Sequence, residues 1–328
     1  MERQDPATGR PVTVVVPFGT VPDWRFGAEV ERPDAGRAKR LISALGCEAA
    51  RCAGEFRGTT FTSVYLAGGP TCLTLDQLYA ILQLVYDNLT VSPEEQSLDV
   101  LAGTVDEGRA KVLKESGFDQ LNVRLAEGQS PERELTILTE AGFESVGIEL
   151  ALGVEPGAWV RRLNRLVELK PARIHFHVTA EGRAHDALLP ALQAARELLG
   201  GDWREYLLFH FCRPGHESRH LLSLWSDTVQ LGLGPAGLTR PGQSCRRNPA
   251  KLRDYLAAAK SGRAAKPVAD RPRLLSELVR LEGIVPERLN TEPGRVLTNS
   301  GLLAERNGRF FLTDAGALAL DRVAGLLA

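Results

Sequence analysis

The stretch from Tyr206 to Gly237, YLLFHFCRPGHESRHLLSLWSDTVQLGLGPAG, decides the fold that we expect. Its pattern predicts a strand, a turn at residues 213–215, a short helix, a second strand and a glycine-rich end. His216 and His220 are four residues apart, so a helix would place both on one face. The glycines of residues 231–237 indicate a place where backbone, rather than side chains, makes a close contact.

The composition limits the class of protein. Of the 328 residues, 43% are hydrophobic and 25% are charged, which is typical of a globular protein. The formal net charge of −1 gives no overall basic field to attract nucleic acid. No apolar run approaches the roughly 20 residues of a membrane span. The first residues lack the apolar core of a secretory signal, so we expect a cytoplasmic protein in which five scattered cysteines form no disulfide framework.

Six strand-then-helix units follow one another in the first 200 residues. This alternation predicts a parallel α/β sheet with right-handed crossovers, either doubly wound or closing towards a barrel. In both cases ligands bind at the carboxyl ends of the strands. The predicted strands are Val12–Val16, Ser63–Leu66, Ser97–Leu101, Gln120–Arg124, Ser145–Glu149 and Arg173–Val178. The residues expected at their carboxyl ends are Gly19, Gly68, Gly69, Ala102, Gly103, Arg124, Glu149 and Thr179.

The last third of the chain predicts a small separate module. A polar loop runs to about Asn248, and a helix runs from there to about Lys260. From residue 273 onwards we expect helices, a hairpin at Asn307–Gly308 and a final helix capped by Asp314, which together resemble a winged helix. Seven arginines balance seven acidic residues in this part, so we expect a domain cap or partner surface rather than a nucleic-acid site.

Three segments carry a resemblance to a known family. They are Tyr65–Thr74 (YLAGGPTCLT), Ala141–Gly153 (AGFESVGIELALG) and Gly215–Ala236, with GHESRHLLSLW followed by QLGLGPA. The FLTDAG of Phe311–Gly316 also agrees. In this order they resemble the oxygen-independent coproporphyrinogen III oxidase-like family, in its haem-chaperone branch, within the radical SAM superfamily. The resemblance implies an α/β fold with a partial (β/α)6 TIM-like barrel of radical SAM type and a small C-terminal winged-helix-like domain.

The predicted domains follow from this resemblance. Residues 1–200 would form the radical-SAM-like barrel, and residues 201–262 a barrel extension that carries the HESRHLLSLW and GLGPAG elements. Residues 263–272 would be a linker, and residues 273–328 the winged-helix-like domain.

The cluster motif that the resemblance implies is missing. The family holds a four-iron cluster on CxxxCxxC after the first strand, and the open iron chelates S-adenosylmethionine (SAM). In this chain the strand ends at Pro17-Phe18-Gly19, and no cysteine precedes Cys47. Cys47 and Cys52 would lie about 140° apart on a helix, which does not suit a shared ligand. We therefore expect no four-iron cluster.

The residues that resemble the SAM site have also changed. The family's threonine-proline is reversed at Pro70-Thr71, and Gln120, Asn122 and Ala126 replace an arginine, a serine and a glutamine. Asp99 stands where the family has glutamate. Several changes at one place make SAM binding doubtful.

A vestigial SAM site would consist of Gly68, Gly69 and Glu149. The two glycines after a strand could offer backbone donors to a nucleotide-like ligand, or form only a tight turn. Glu149 could hold a ribose hydroxyl, or be a solvated carboxylate.

A metal site is a further hypothesis. His175 and His177 are two residues apart on a predicted strand, so their side chains share a face. His210 and Cys212 repeat this spacing on the strand that begins at Tyr206. If the two strands are neighbours, the four ligands could converge on a metal ion. The alternative is that they are polar residues lining a half-open sheet.

His220 is the candidate for haem contact. In the family the corresponding element is proposed to contact haem, and imidazole is the usual axial ligand of haem iron. His220 and Trp225 are retained here, whereas Leu221 and Leu224 replace an asparagine and a tyrosine. The alternative is that Glu217, Arg219 and His220 cap or brace the short helix against the barrel.

The predicted function is that of a non-catalytic protein with the radical SAM fold that binds haem or another tetrapyrrole for trafficking or assembly. One alternative is a radical SAM or repurposed metal-dependent enzyme of tetrapyrrole metabolism. Another is a regulatory pseudoenzyme that pairs with an active homologue through its barrel edge or its C-terminal domain.

Overall fold

The structure, a computed structural model, describes residues 9–18, 34–125, 129–153, 155–178, 185–242, 244–262, 265–269, 273–289 and 291–327. The expectations for Gly19, Ala126 and Thr179 lie outside these residues. By its internal contacts, the chain divides into two compact units. The first unit comprises Met1–Ile148 and Ser218–Asp270, and the second comprises Glu149–Glu217 and Arg271–Ala328. The predicted domains are consecutive in sequence, whereas these units interleave, and the domain boundaries stay a prediction.

The described strands, in chain order, have the following bounds. They are β1 (Pro11–Val16), β2 (Thr60–Gly68), β3 (Thr90–Leu101), β4 (Gln120–Arg124), β5 (Ser145–Ala151), β6 (Arg173–His177), β7 (Arg204–Leu207), β8 (His210–Cys212), β9 (Leu231–Leu233), β10 (Leu238–Thr239), β11 (Cys245–Arg247), β12 (Lys266–Val268), β13 (Leu303–Arg306) and β14 (Arg309–Leu312).

The first six of the described helices alternate with the first six strands, as the sequence predicts. All the described helices have the following bounds. They are α1 (Ala35–Glu55), α2 (Leu75–Asn88), α3 (Glu107–Glu115), α4 (Glu132–Glu140), α5 (Pro156–Glu168), α6 (His185–Leu198), α7 (Arg219–Leu224), α8 (Leu252–Lys260), α9 (Arg273–Val279), α10 (Glu292–Asn299), α11 (Asp314–Leu318) and α12 (Leu320–Leu327). Within the described ranges, we find no helix that combines the length and the apolar character needed to cross a membrane.

The sheet of the first unit is parallel from β1 to β4, as predicted. β1 pairs with β2 on one side and with β9 on the other, so that Val14 lies beside Leu66 and Leu233. The glycine-rich end that follows β9 packs against backbone, as expected. Gly234 has a φ of 89°, and a Cβ there would lie 2.4 Å from the Val15 carbonyl oxygen.

The two faces of this sheet differ in polarity. Because side chains alternate along a strand, Leu121 and Val123 of β4 share one face, and Asn122 and Arg124 share the other. All four are buried. The same alternation places a second set of buried polar residues on the polar face of β1, β2 and β3, namely Thr13, Ser63, Tyr65, Glu95, Ser97 and Asp99. This polar face holds the candidate sites of the first unit.

The second unit corrects the predicted strand at Tyr206. The residues form two antiparallel strands, β7 and β8, instead of one, and β8 pairs antiparallel with β6. The connection is Leu208-Phe209, where Phe209 has a φ of 65°. Glu205 accepts a hydrogen bond from the Phe209 N–H at 3.0 Å, which supports this tight turn. The sequence lacks the glycine or asparagine that usually marks such a turn.

Three smaller expectations are also corrected. The helix of the opening stretch begins at Arg219 after the cap Ser218, so His216 lies before the helix and does not share a face with His220. Part of the expected linker, Lys266–Val268, is strand β12 and pairs with β11. The helix after the hairpin, α11, is capped by Thr313 rather than Asp314, because the Thr313 hydroxyl accepts the Gly316 N–H at 3.0 Å.

The hairpin expected at Asn307–Gly308 is confirmed. Strands β13 and β14 pair around it, and both turn residues have positive φ angles, 52° and 72°. This is the geometry that favours Asn-Gly in two-residue hairpins. Together with α9–α12, the hairpin gives the predicted content of helices and one hairpin, and the winged-helix assignment stays a prediction.

Candidate functional sites

The carboxyl ends of β2, β3 and β4 carry a group of buried polar residues that we call the strand-end network: the side chains of Tyr65, Asp99, Asn122 and Arg124, and the backbone of Gly68. Asp99 is fully buried and accepts hydrogen bonds from the Tyr65 hydroxyl and from the Gly68 N–H, the latter at 2.8 Å. Arg124 Nη1 lies 3.8 Å from Asp99 Oδ2 and donates to the Gly68 carbonyl at 3.1 Å. Asn122 donates to the Tyr65 oxygen at 3.1 Å.

The two glycines of the predicted SAM site are engaged in this structure. The Gly68 N–H is held by Asp99, and the Gly69 N–H donates to the Val16 carbonyl at 2.7 Å. Thr71, where the family has proline, accepts the Leu101 N–H at 3.0 Å. The backbone donors that could meet a ligand therefore bind protein atoms, which favours the tight-turn interpretation.

The cysteines do not fit a four-iron cluster. Cys47 is exposed and Cys52 is buried on the same helix, and Cys72, Cys212 and Cys245 lie on other elements. Burial raises the pKa of Cys52 to about 11 and that of Cys212 to about 12. Cluster ligands are thiolates, and burial disfavours the thiolate form of these two cysteines. Within the described part of the chain, no group of three or more His, Cys, Asp or Glu side chains could hold a metal ion.

The second unit brings two of the predicted metal ligands together. The rings of His175 and His210 have centroids 4.5 Å apart, because the two residues are paired across β6 and β8. Tyr206 lies 3.0 Å from His175 Nε2 through its hydroxyl, and His210 Nδ1 donates to the Leu208 carbonyl at 2.7 Å. This is a cluster of ionisable rings on one face of the sheet.

The other two predicted ligands have different neighbours. His177 Nδ1 lies 3.9 Å from Glu149 Oε1, and both side chains are buried. Burial contradicts the alternative that Glu149 is a solvated carboxylate. Cys212 pairs with Arg173 across β6 and β8. Among the residues described, the four predicted ligands do not form one group that could hold a metal ion, and the metal site stays a hypothesis.

His220 belongs to a second buried cluster of the first unit, which we call the helix anchor: Thr13, Ser63, Glu95, Ser218 and His220. His220 is fully buried. Its Nε2 lies 2.8 Å from the Thr13 hydroxyl, and its Nδ1 lies 2.9 Å from the Ser63 hydroxyl. Both ring nitrogens are thus bound to side chains of β1 and β2, which favours the bracing interpretation over axial ligation of haem iron.

Glu95 completes the helix anchor by capping α7. One of its oxygens accepts hydrogen bonds from the Ser97 and Ser218 hydroxyls at 2.6 and 2.8 Å. The other accepts the N–H groups of Arg219 and His220 at 2.6 and 3.2 Å. A carboxylate at a helix N-terminus satisfies backbone donors that lack a partner within the helix. Trp225, the other expected haem contact, is half-buried at the end of α7.

Sequence reasoning missed Glu95, Thr13, Ser63 and Tyr65. A signal was present, because polar residues alternate with apolar ones on strands that are buried on both faces. It also missed Glu48, which lies on the buried face of α1 beside Leu45, Ala49 and Cys52. An acidic residue at a position with apolar spacing was the available sign.

Comparisons with known proteins support the fold. A scan against models of known protein families finds no match, and a search of curated proteins finds none either. Among solved structures, coproporphyrinogen III oxidase from Escherichia coli, a radical SAM enzyme, is similar with a TM-score of 0.75 and 18% identity, covering 99% of this chain and 91% of that chain. Native anSMEcpe with bound AdoMet is similar over 58% of this chain and 60% of that chain, at a TM-score of 0.37 and 14% identity.

The likeness to coproporphyrinogen III oxidase confirms the predicted fold class. The chain is an α/β protein with a large, mainly parallel sheet and the TIM-barrel-type fold of that radical SAM enzyme. The second comparison is too weak to add to this conclusion.

Proposed function

We propose that this chain is a non-catalytic protein with the radical SAM fold that binds haem or another tetrapyrrole in trafficking or assembly. The tetrapyrrole part is supported by the solved coproporphyrinogen III oxidase that shares the fold. The observation that carries the non-catalytic part is the state of the strand-end network, in which Asp99 already holds the Gly68 N–H.

The strand-end network supports the proposed loss of cofactor chemistry, because its polar groups already hydrogen-bond to one another. The Asp99 carboxylate has a backbone amide, a phenol and a guanidinium around it. Charge-assisted hydrogen bonds of this kind are stronger than neutral ones. A ligand that took the Gly68 N–H would have to replace Asp99 there, which would leave a buried carboxylate with fewer donors.

The cysteine positions support the same proposal independently. The strand that should lead into the cluster loop ends at Pro17-Phe18-Gly19 without a cysteine. The thiols of Cys52 and Cys212 have raised pKa values because they are buried. These are properties of packing residues rather than of cluster ligands.

The proposed tetrapyrrole binding does not depend on His220 as an iron ligand. Ligation through either ring nitrogen would break a buried hydrogen bond to Thr13 or Ser63. We therefore expect the macrocycle, rather than the iron, to be recognised.

Anaerobic reconstitution with iron and sulfide tests the non-catalytic part. We expect no stoichiometric iron uptake, no cluster absorbance and no SAM cleavage. Four irons per chain together with SAM cleavage would refute it.

Titration with haem and with iron-free coproporphyrin III tests the tetrapyrrole part. We expect saturable Soret shifts with both ligands, since recognition of the macrocycle does not need iron. If neither ligand shifts, the tetrapyrrole role is wrong. A shift with haem alone that is lost in a folded His220→Ala variant would instead show axial ligation.

A second candidate function, a repurposed enzyme, is favoured by one observation. The His175 imidazole and the Tyr206 hydroxyl are 3.0 Å apart in a buried cluster, a distance that permits proton transfer. Turnover of a tetrapyrrole that is lost in Tyr206→Phe with unchanged binding would support this candidate over the non-catalytic one.

A further inference from the structure

A cavity of about 310 Å³ in the first unit lies outside the sites described above. One wall is the face of α1 that carries Glu48, Arg51 and Cys52, at the spacing of successive helical turns. Residues of β11, of the segment after it and of α8 also line the cavity. This volume is at the lower end of the range for small-molecule sites.

Glu48 is the fixed anionic group of this cavity. It is 7% exposed, and its carboxylate accepts hydrogen bonds from three separate segments. The donors are the Gly234 N–H at 3.0 Å, the Asn248 amide at 2.6 Å and the Tyr255 hydroxyl at 2.7 Å. A carboxylate offers about four acceptor positions, so these three bonds orient it and leave capacity for a further donor.

Burial disfavours the charged form of Glu48, and a cationic group placed beside it would offset that cost. Burial raises the pKa of Glu48, although its three donors and the charge of Arg51 oppose this effect. Tyr255, which donates to it, also has a raised pKa because of burial and of the nearby Glu48 charge. Perturbed groups that converge on a cavity are typical of binding sites.

Arg51 is the exposed cationic group of the same cavity. It lies three residues after Glu48, which puts the two side chains on neighbouring turns of one helix face. Arg51 Nη1 donates to the Ala259 carbonyl at 3.3 Å, across from α1 to α8. A guanidinium has five N–H donors, so this bond leaves donors for an anion.

The other charged residues that line the cavity neutralise each other. Arg246 is paired with Glu55 through both of its terminal nitrogens, so each cancels the other's charge. The lining also includes Pro249, Ala258 and Ala259, whose side chains are small and apolar. The cavity therefore combines a buried carboxylate, an exposed guanidinium and an apolar wall.

We propose that this cavity binds a small zwitterion of the amino-acid type, with its ammonium group on Glu48, its carboxylate on Arg51 and its apolar side chain against α8. The site is independent of the proposed tetrapyrrole binding, and its ligand has no Soret band to confuse the two tests.

Calorimetric titration of the whole chain with L-leucine tests the proposal. 3-Methylbutylamine, which lacks the carboxylate, and 4-methylpentanoate, which lacks the ammonium group, are the matched probes. We expect L-leucine to bind at least about tenfold more tightly than either, because each probe loses one charge-assisted contact. No saturable binding of L-leucine at millimolar concentrations, or equal binding of all three compounds, overturns the proposal.

Variants assign the binding to this cavity. Arg51→Ala, at an exposed position, should weaken L-leucine binding at least about tenfold. Ala258→Leu should abolish it by filling the space. Arg40→Ala, an exposed arginine of the same helix outside the lining, should leave it unchanged. Binding that survives both Arg51→Ala and Ala258→Leu overturns the assignment to this cavity.

Discussion

The strand-end network and the helix anchor occupy the same polar face of the first unit, yet they are completed in different ways. In the strand-end network, the partners of Asp99 come from β2 and β4, the strands on either side of it. In the helix anchor, the partners of Glu95 include Ser218 and His220, which lie more than 120 residues further along the chain. One cluster joins neighbouring strands, and the other docks a distant helix onto them.

The two clusters also differ in how well their residues agree with the family that the sequence resembles. The segment that best resembles a functional motif, around His220, is used in the helix anchor. Asp99 and Asn122, which stand where the family has a glutamate and a serine, lie in the strand-end network. In both clusters, polar groups that the resemblance points to are bound to other protein groups.

The largest expected effect is at Asp99. Asp99→Ala leaves the Arg124 guanidinium, which is 1% exposed, without its carboxylate. Removing one partner of a buried charge pair is strongly destabilising, so we expect a loss of about 4 kcal/mol in the free energy of unfolding. Urea unfolding followed by circular dichroism measures it. The double variant Asp99→Ala/Arg124→Met should recover part of the loss, and no recovery would show that the pair is not coupled.

The next effect tests the helix anchor with a matched pair of neighbouring residues. Glu95→Ala removes the acceptor of four hydrogen bonds, and we expect a loss of about 3 kcal/mol. Glu94 is exposed and is paired with the Arg219 side chain at the surface. Glu94→Ala should cost less than about 1 kcal/mol. Equal losses in the two variants would contradict the capping role of Glu95.

The sequence allowed the parallel strands and their helices to be predicted, because short β-type segments alternate with helical segments between turn signals. The hairpin at Asn307–Gly308 was also predictable, since local φ requirements select those residues. The turn at Leu208-Phe209 was not predictable, because Phe209 takes a left-handed conformation that its residue type disfavours. It is supported by Glu205, a contact that exists only after folding.

The candidate sites were predictable only as residues, not as contacts. The sequence pointed to Gly68, Asp99 and His220, but it could not show that Asp99 takes the Gly68 N–H or that His220 lies between two hydroxyls. These partners come from strands that are distant in sequence. Whether a polar residue meets a ligand or another protein group depends on such long-range pairing, which local periodicity does not encode.

His220→Ala separates bracing from ligand binding within the helix anchor. It leaves the buried hydroxyls of Thr13 and Ser63 without their imidazole partner. We expect a loss of about 2 kcal/mol in the free energy of unfolding, with unchanged affinity for coproporphyrin in the folded protein. Unchanged stability together with lost haem binding would reverse the assignment.

The smallest effect sharpens the description of the strand-end network. Tyr65→Phe removes one hydroxyl, which donates to Asp99 and accepts from Asn122. The aromatic ring and its edge-on contact with His220, at a centroid distance of 5.1 Å, would remain. Asp99 keeps the Gly68 N–H and Arg124, so we expect a loss of only about 1 kcal/mol, the usual net value of one hydrogen bond. A loss as large as that of Asp99→Ala would show that the hydroxyl, and not the charge pair with Arg124, holds the network together.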